Sequence, residues 1–221
     1  MAKILCIETA TTNCSVALSE NGSVLVLKED NSKNYSHAER LHQFIEEVCL
    51  ESGYGLDEID AFAVSKGPGS YTGLRIGVST AKGLCYALDK PLISVLTLSS
   101  LVQMVRDESD YIIPMLDARR MEVYAAIYNA EGKVILDTEA IVLDALSFKS
   151  YLEKGVVTFI GSGVEKFEVI CNHKNARFLD TLPSAAQMAA LANEKYHQNK
   201  FEDIAYFEPF YLKDFMLNKK A

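Results

Sequence analysis

The sequence predicts an α/β protein of two lobes, each built on a mixed β-sheet flanked by helices. Three observations lead to this prediction. The first half of the chain is patterned as three strands followed by alternating helices and strands, an order that gives one sheet both antiparallel and parallel neighbours. The second half repeats the order of elements without repeating the residues. With 221 residues, 49% of them hydrophobic, the chain can bury a sizeable core.

The N-terminal lobe, residues 1–105, is predicted from short apolar runs and from helical spacing of apolar residues. Asn21-Gly22 predicts a hairpin turn between the second and third strands, because both positions tolerate positive φ. Thr97 is a candidate cap for the last helix of this lobe. The predicted strands are residues 4–8, 15–19, 24–28, 59–65 and 92–95, and the predicted helices are residues 36–51, 71–88 and 97–105.

The smaller C-terminal lobe, residues 106–221, is predicted from the same kinds of pattern. Its strands are predicted at residues 111–116, 122–128, 133–142 and 156–160, and its helices at residues 146–153, 164–171 and 184–197. An aromatic tail follows from Tyr206. It carries too much apolar surface for a free linker, so we expect the last helix and the tail to pack back on the N-terminal lobe or on a partner.

Composition excludes several classes of protein. No apolar run reaches the roughly 20 residues that span a bilayer, and the first residues lead directly into a strand pattern, so we expect no leader and no membrane contact. Five scattered cysteines, an odd number, are typical of reduced structural thiols in a cytoplasmic protein. A formal charge of −8 gives no general attraction to nucleic-acid backbone.

The helix predicted over residues 71–88 is unusual because it contains three glycines, Gly73, Gly77 and Gly83. Each costs about 1 kcal/mol relative to alanine, so each needs a packing or binding reason. Gly73 and Gly77 share a stripe that would let another backbone approach closely. The rest of the helix is apolar nearly all round, apart from a narrow polar strip of Arg75, Ser79 and Lys82. Such a helix is covered on most faces, by its own chain or by a partner.

Four segments resemble the TsaB family: Ile4-Leu-Cys-Ile-Glu-Thr-Ala-Thr, Ser36-His-Ala-Glu-Arg-Leu, Gly67-Pro-Gly-Ser-Tyr-Thr-Gly-Leu-Arg-Ile-Gly, and Asp117-Ala-Arg-Arg-Met-Glu-Val-Tyr. The resemblance covers nearly the whole chain. It implies an actin-like, ribonuclease-H-related fold. It further implies a non-catalytic subunit that pairs with the catalytic relative TsaD in making threonylcarbamoyladenosine on tRNA, together with the ATPase TsaE. The resemblance also implies that a separate enzyme supplies threonylcarbamoyl-adenylate and that this subunit contacts tRNA indirectly, through the complex. Family members also form homodimers, generally around the glycine-rich helix.

Taken with this resemblance, the glycine-rich helix is interpreted as a subunit interface, in which another protomer lies against the glycines. Arg75 could instead pair with a carboxylate inside the chain. The predicted interface residues are Tyr71, Gly73, Leu74, Arg75, Gly77, Val78, Ala81 and Lys82.

A nucleotide site is the next candidate. The loop of Glu8, Thr9 and Thr11 resembles the first phosphate loop of actin-like kinases, but Ala10 stands where close approach would favour glycine. A hydrogen-bonded turn explains the same residues equally well. We therefore predict no cofactor of the chain's own, with ATP or ADP bound only weakly or at a partner interface. The Gly67-Pro-Gly-Ser turn could present N–H groups to an anion, although a tight strand-to-helix turn is the preferred interpretation.

The older description of the family as a glycoprotease-like peptidase requires a metal or a nucleophile. His37 and His42 are five residues apart, which separates them by about 140° on a helix, and they cannot share an ion. His37 instead lies beside a capping-box pattern, Ser36-x-x-Glu39. We assign no metal ligand and no catalytic residue. The alternatives are an enzyme in its own right, either a peptidase or a kinase-like phosphotransferase, and a regulatory module that binds ATP without hydrolysing it.

The charged turn from Asp117 to Glu122 is the last candidate site. A cluster of aspartate and arginine could bind a substrate, but such turns usually close a hairpin and pair among themselves. The second interpretation is slightly favoured by the sequence.

Overall fold

The computed structural model describes residues 1–32, 37–105 and 108–213. Within these ranges the chain forms ten strands and six α-helices. The strands are β1 (Lys3–Glu8), β2 (Cys14–Glu20), β3 (Ser23–Asp30), β4 (Ala61–Gly67), β5 (Leu92–Leu96), β6 (Tyr111–Asp117), β7 (Glu122–Asn129), β8 (Val134–Val142), β9 (Val157–Ile160) and β10 (Ala176–Leu179). The helices are α1 (His37–Ser52), α2 (Tyr71–Leu88), α3 (Thr97–Val102), α4 (Lys149–Leu152), α5 (Val164–Glu168) and α6 (Ala185–His197).

The first sheet has the order β3-β2-β1-β4-β5. β1 is antiparallel to β2 and parallel to β4, so the sheet is mixed, as predicted. Alternating residues of β1 face opposite sides. Leu5 and Ile7 pack with α1 and α2, whereas Ile4 and Cys6 pack with α6. The sheet is thus buried on both faces, which explains why residues 4–7 of β1 form an uninterrupted apolar run.

The second sheet has the order β10-β9-β6-β7-β8 and is also mixed. One face packs against α4 and α5, where Phe159 and Phe167 are fully buried. The other face packs against α3 through Leu98 and Leu101. Two such sheets with the same order of elements confirm the predicted actin-like, ribonuclease-H-like class.

The last helix returns to the first sheet after the chain has completed the second. The hydroxyl of Ser15 on β2 accepts a hydrogen bond of 2.8 Å from the N–H of Ala185, and Met188 packs into the core beneath β1. The tail then crosses to α2, where Phe207 is buried against Val78 and its neighbours. α6 and the tail therefore pack on the first sheet and its helices.

The structure corrects several predicted boundaries. Leu96, not Thr97, is the N-cap of α3, and its apolar side chain provides no cap. The Thr97 hydroxyl is hydrogen-bonded to Ser65 at 2.7 Å. α3, α4 and α5 are shorter than predicted, and β10 was not predicted at all. The capping box at Ser36 lies outside the described residues, as do residues 106 and 107 at the predicted lobe boundary.

The predicted hairpin turn is confirmed, since Asn21 and Gly22 have φ values of 50° and 80°. All five cysteines are free. Among the helices of the described ranges, none combines the length and the apolarity that crossing a membrane requires.

Candidate functional site

The glycine-rich turn joins β4 to α2 and is held by the loop that follows β1. The N–H of Ser70 donates to the carbonyl of Ala10 at 2.6 Å, and the Ser70 side chain caps α2 by accepting from the N–H of Gly73 at 3.3 Å. A Cβ at Gly69 would lie 2.4 Å from the same Ala10 carbonyl. The N–H of Ser70 thus already has a partner within the chain, and the segment is the tight strand-to-helix turn that the sequence favoured.

Gly73 and Gly77 are explained by contact within the chain. A Cβ at Gly73 would lie 2.1 Å from the carbonyl oxygen of Thr9, and one at Gly77 would lie 2.3 Å from the Thr9 hydroxyl oxygen. Real Cβ atoms do not approach this closely, so only glycine fits at either position. The expectation that another protomer lies against these two glycines is therefore wrong, because Thr9 of the same chain occupies that space.

Gly83 is different from the other two glycines. A Cβ there would meet nothing within 4 Å, and the residue is exposed. It lies in the interior of α2, where glycine costs about 1 kcal/mol relative to alanine. Among the described residues nothing approaches closely enough to require glycine at this position.

Gly83 lines a groove between α1 and α2 with a volume of about 630 Å³. The groove is largely apolar. His42, Ile45 and Cys49 line it from α1, and Thr80, Gly83 and Leu84 line it from α2. None of these residues belongs to the predicted interface, although Gly83 is one of the three costly helix glycines of the sequence. The neighbouring face of α1 could not be assigned from sequence, because the pairing of α1 with α2 depends on the tertiary fold.

The predicted interface set divides into two groups. Five members are buried in the chain's own fold: Gly73, Leu74, Gly77, Val78 and Ala81. The other three, Tyr71, Arg75 and Lys82, reach the surface. The buried five form the face of α2 turned toward the first sheet and the loop after β1, so their inclusion in a partner surface is corrected.

The polar strip of α2 contacts the C-terminal tail. The Lys82 ammonium donates to the carbonyl oxygen of Phe207 at 3.0 Å. The Arg75 guanidinium lies 4.1 Å from the ring centroid of Tyr71, which in turn packs at 4.9 Å against Tyr211. Arg75 is thus held by an aromatic ring, and the described residues supply it with no ion-paired carboxylate. The strip anchors the tail on α2 beside the groove, and Ser79 of the strip also lines the groove.

The candidate nucleotide residues Glu8 and Thr9 lie in the core, and neither has any exposed surface. The N–H of Ala10 donates to the Glu8 carboxyl at 2.7 Å, and the Thr9 hydroxyl donates to the carbonyl of Gly73 at 2.8 Å. Burial raises the pKa of Glu8 to about 7, opposed in part by the hydrogen bond from Ala10. Thr11 is half-buried, and its carbonyl contacts the His37 ring at 2.7 Å. In this conformation a ligand does not reach Glu8 or Thr9.

The two histidines of α1 lie in different surroundings. His37 is buried beside Thr11, and burial lowers its pKa. His42 is exposed at the groove. Across the described ranges, no three histidine, cysteine, aspartate or glutamate side chains come together as a metal-binding group.

The charged turn after β6 is organised by Asp117. Its carboxylate accepts from the N–H of Arg119 at 2.5 Å and from the Lys166 ammonium at 2.8 Å, while Glu122 pairs with Lys213. Arg119 and Arg120 have φ values of 71° and 50°, a conformation that costs non-glycine residues of order 1 kcal/mol or more each. The turn closes a hairpin as expected, but its carboxylates pair with lysines from elsewhere and not with the side chains of its own arginines.

Known proteins resemble this chain along most of its length. The family model of TsaD, tRNA N6-adenosine threonylcarbamoyltransferase, matches residues 32–220. The tRNA threonylcarbamoyladenosine biosynthesis protein TsaB of Escherichia coli is 30% identical over 227 residues, covering 99% of this chain and 97% of that protein. A tRNA N6-adenosine threonylcarbamoyltransferase of Staphylococcus haemolyticus is 36% identical over 107 residues, which cover 42% of this chain and 31% of that enzyme.

A solved structure from Pseudomonas aeruginosa also resembles the chain. It is described as an uncharacterized protein with similarity to peptidase YeaZ. Its TM-score is 0.80 at 26% sequence identity, with 96% of this chain and 100% of that chain covered.

Proposed function

The chain belongs to the TsaB family of tRNA threonylcarbamoyladenosine biosynthesis proteins, and from that premise we propose that it is a non-catalytic subunit of the modification machinery. In this proposal the α1–α2 groove receives a TsaD-like catalytic subunit. A TsaE-like ATPase completes the assembly, which acts in the cytoplasm, and tRNA is bound through the complex.

Gly83 is the observation that carries the proposal. It weakens α2, and no described residue approaches it closely enough to exclude a side chain. Glycine at such a position allows a second backbone to pack directly on the helix. Its place in an apolar groove between two helices supports a helical occupant, because the ridges of a further helix can pack into such a groove.

A TsaD-like protein is the favoured occupant because it resembles this chain. The transferase family model spans residues 32–220, a range that includes both α1 and α2. A relative with the same fold carries an equivalent helix pair, and two such pairs can face each other across an approximate two-fold axis. The same geometry allows two copies of this chain to pair when the relative is absent, which supports a homodimer of the lone chain.

The lack of independent catalysis is supported by the interior of the first lobe. Glu8 and Thr9, which stand where actin-like kinases approach phosphate, are buried and bonded within the chain. ATP or ADP, if bound, would then lie at the partner interface and not in the loop after β1. His37 and His42 face different environments and do not form a ligand pair.

The proposal is tested by substituting Gly83 and reconstituting tRNA modification with TsaD-like and TsaE-like partners and threonylcarbamoyl-adenylate. Gly83→Leu fills the groove and is expected to abolish pairing and modification while the lone chain stays folded. Gly83→Ala is expected to stabilise the lone chain by about 1 kcal/mol. Glu194→Leu, an exposed substitution on α6 across the sheet, is the matched control and is expected to leave pairing unchanged.

Normal pairing and full modification with Gly83→Leu would contradict the proposed interface. Turnover of peptide or ATP by the lone chain, lost on substitution of His37 or Ser70, would instead favour an enzyme in its own right.

A further inference from the structure

The β6–β7 turn carries two exposed arginines, and we propose that Arg119 and Arg120 contact the phosphodiester backbone of tRNA held by the assembled complex. This inference rests on the proposed function, since it concerns the RNA that the complex modifies. It goes beyond that function by assigning a direct RNA contact to this chain. The argument depends on local charge, on the geometry of the turn and on its position beside α2.

The local charge is positive although the chain as a whole carries −8. Each carboxylate of the turn is matched by a lysine from another element. Asp117 pairs with Lys166 of α5, and Glu122 pairs with Lys213 of the tail. Lys166 also donates to the carbonyl of Glu122 at 3.1 Å, which fixes it against the turn. The charges of the two arginines are therefore not neutralised by the acidic residues of their own turn.

The turn directs both arginines outward. Arg119 and Arg120 are exposed, and within the described part of the chain neither guanidinium has a hydrogen-bond or ion-pair partner. Their backbones sit at positive φ, and the turn is closed by hydrogen bonds from Ala118 to Glu122 and from Glu122 to Arg119. A fixed turn that presents two adjacent guanidinium groups suits phosphate, because arginine binds phosphate oxygens in a bidentate manner.

The C-terminal tail connects the turn to the N-terminal end of α2, one of the two helices of the proposed partner surface. Tyr211 packs on Tyr71 at the start of α2, and Lys213 pairs with Glu122 beside the turn. Two residues of extended chain span only about 7 Å, so the tail links the turn to the N-terminal end of α2. In the proposed complex, RNA bound to a partner on α1 and α2 would reach this positive turn, although the chain as a whole is acidic.

The experiment measures tRNA affinity of the reconstituted complex as a function of salt, using fluorescence anisotropy of labelled tRNA. The R119Q/R120Q double variant removes both charges and keeps polar side chains of similar length. Affinity is expected to fall roughly tenfold at about 0.1 M salt, and the slope of log K against log salt to fall by about 2, one for each lost phosphate contact. R119K/R120K is expected to retain most of the slope.

A matched control removes two cations elsewhere. K133Q/K174Q makes the same change in net charge at exposed sites outside the turn, and its complex is expected to keep the wild-type affinity and slope. Formation of each complex is measured in parallel by mass photometry.

Unchanged tRNA affinity and slope in an R119Q/R120Q complex that assembles normally would overturn this inference and leave the proposed function intact. Weakened assembly with unchanged tRNA affinity would also overturn it, by assigning the turn to an acidic surface of the partner. Failure of the wild-type chain to assemble at all would count against the proposed function, and RNA binding by the lone chain, lost in R119Q/R120Q, would still support the contact.

Discussion

The hydroxyl of Thr9 donates a hydrogen bond of 2.8 Å to the carbonyl of Gly73, and this contact joins the end of β1 to the first turn of α2. Both groups are buried. The bond forms only if the backbone of α2 comes into van der Waals contact with the loop after β1. Glycine at positions 73 and 77 allows that approach. The orientation of α2, and with it the α1–α2 groove, depends on this contact.

Gly77→Ala is predicted to destabilise the chain by about 1–3 kcal/mol, because its Cβ would lie 2.3 Å from the Thr9 hydroxyl oxygen. In a Thr9→Ala background the nearest Thr9 atom would be its Cβ at 3.4 Å, an ordinary contact. Most of the destabilisation by Gly77→Ala should then disappear. A double-mutant cycle measured by urea unfolding should therefore give a coupling of about 1–2 kcal/mol between the two substitutions.

Gly73→Ala is the matched comparison. Its Cβ would meet the Thr9 backbone oxygen at 2.1 Å, which no change of the Thr9 side chain removes, so its cost should persist in the Thr9→Ala background. Strict additivity for Gly77→Ala and Thr9→Ala would contradict this account of the glycines.

Glu8 is predicted to make stability fall as pH rises. Its pKa is about 7 in the folded chain, raised by burial from 4.5. Between these two values the folded chain holds a proton that the unfolded chain has released. The protonated carboxyl therefore contributes its full stabilisation below pH 4.5, and this stabilisation is lost as pH rises through 7. The loss amounts to roughly 3 kcal/mol at about 1.4 kcal/mol per pKa unit.

The Glu8→Gln variant tests this prediction, because its amide keeps an acceptor for the N–H of Ala10 and does not titrate. Free energies of unfolding are measured for both proteins from pH 5 to pH 8. The stability of the variant relative to the wild type is expected to rise from pH 5 to about pH 7 and to level off above it, where Glu8 is ionised in both the folded and the unfolded chain. Parallel curves would show that Glu8 is not a buried neutral acid.

The tail is predicted to be part of the folded core. Phe207 is 9% exposed and packs against α2, whereas its neighbour Tyr206 is 84% exposed. Phe207→Ala should cost about 3 kcal/mol, and Tyr206→Ala should change stability by less than about 0.5 kcal/mol. Thermal or urea unfolding measures the stability of the two variants. If both substitutions change stability by similarly small amounts, the tail is not docked in solution.

The long elements of the first lobe could be predicted because their signals are local. Residues 4–7 of β1 are all apolar since helices cover both faces of its sheet, and Asn21-Gly22 marks the following hairpin through its positive φ values. β10 was not predicted because it is only four residues long and lies at the edge of its sheet. α4 is shorter than predicted because apolar spacing alone does not fix where a helix begins.

The candidate site was predicted only in part, for a physical reason. A glycine in a helix indicates close approach but does not identify what approaches. Gly73 and Gly77 meet Thr9, which is more than sixty residues away along the chain, and only the fold reveals that contact. Gly83 has the same sequence signal and no such neighbour, so it is the glycine that the interface interpretation fits.

Alkylation of Cys49 in the presence of the TsaD-like partner tests the central claim most directly. Cys49 lines the groove, and Cys171 lies in the second lobe; both are half-buried, and burial raises the pKa of each thiol. Modification rates of the two peptides are followed by mass spectrometry, with the chain dilute enough to limit self-pairing. The account predicts that saturating partner slows Cys49 at least severalfold and leaves Cys171 unchanged. An unchanged Cys49 rate in a fully formed complex would contradict it.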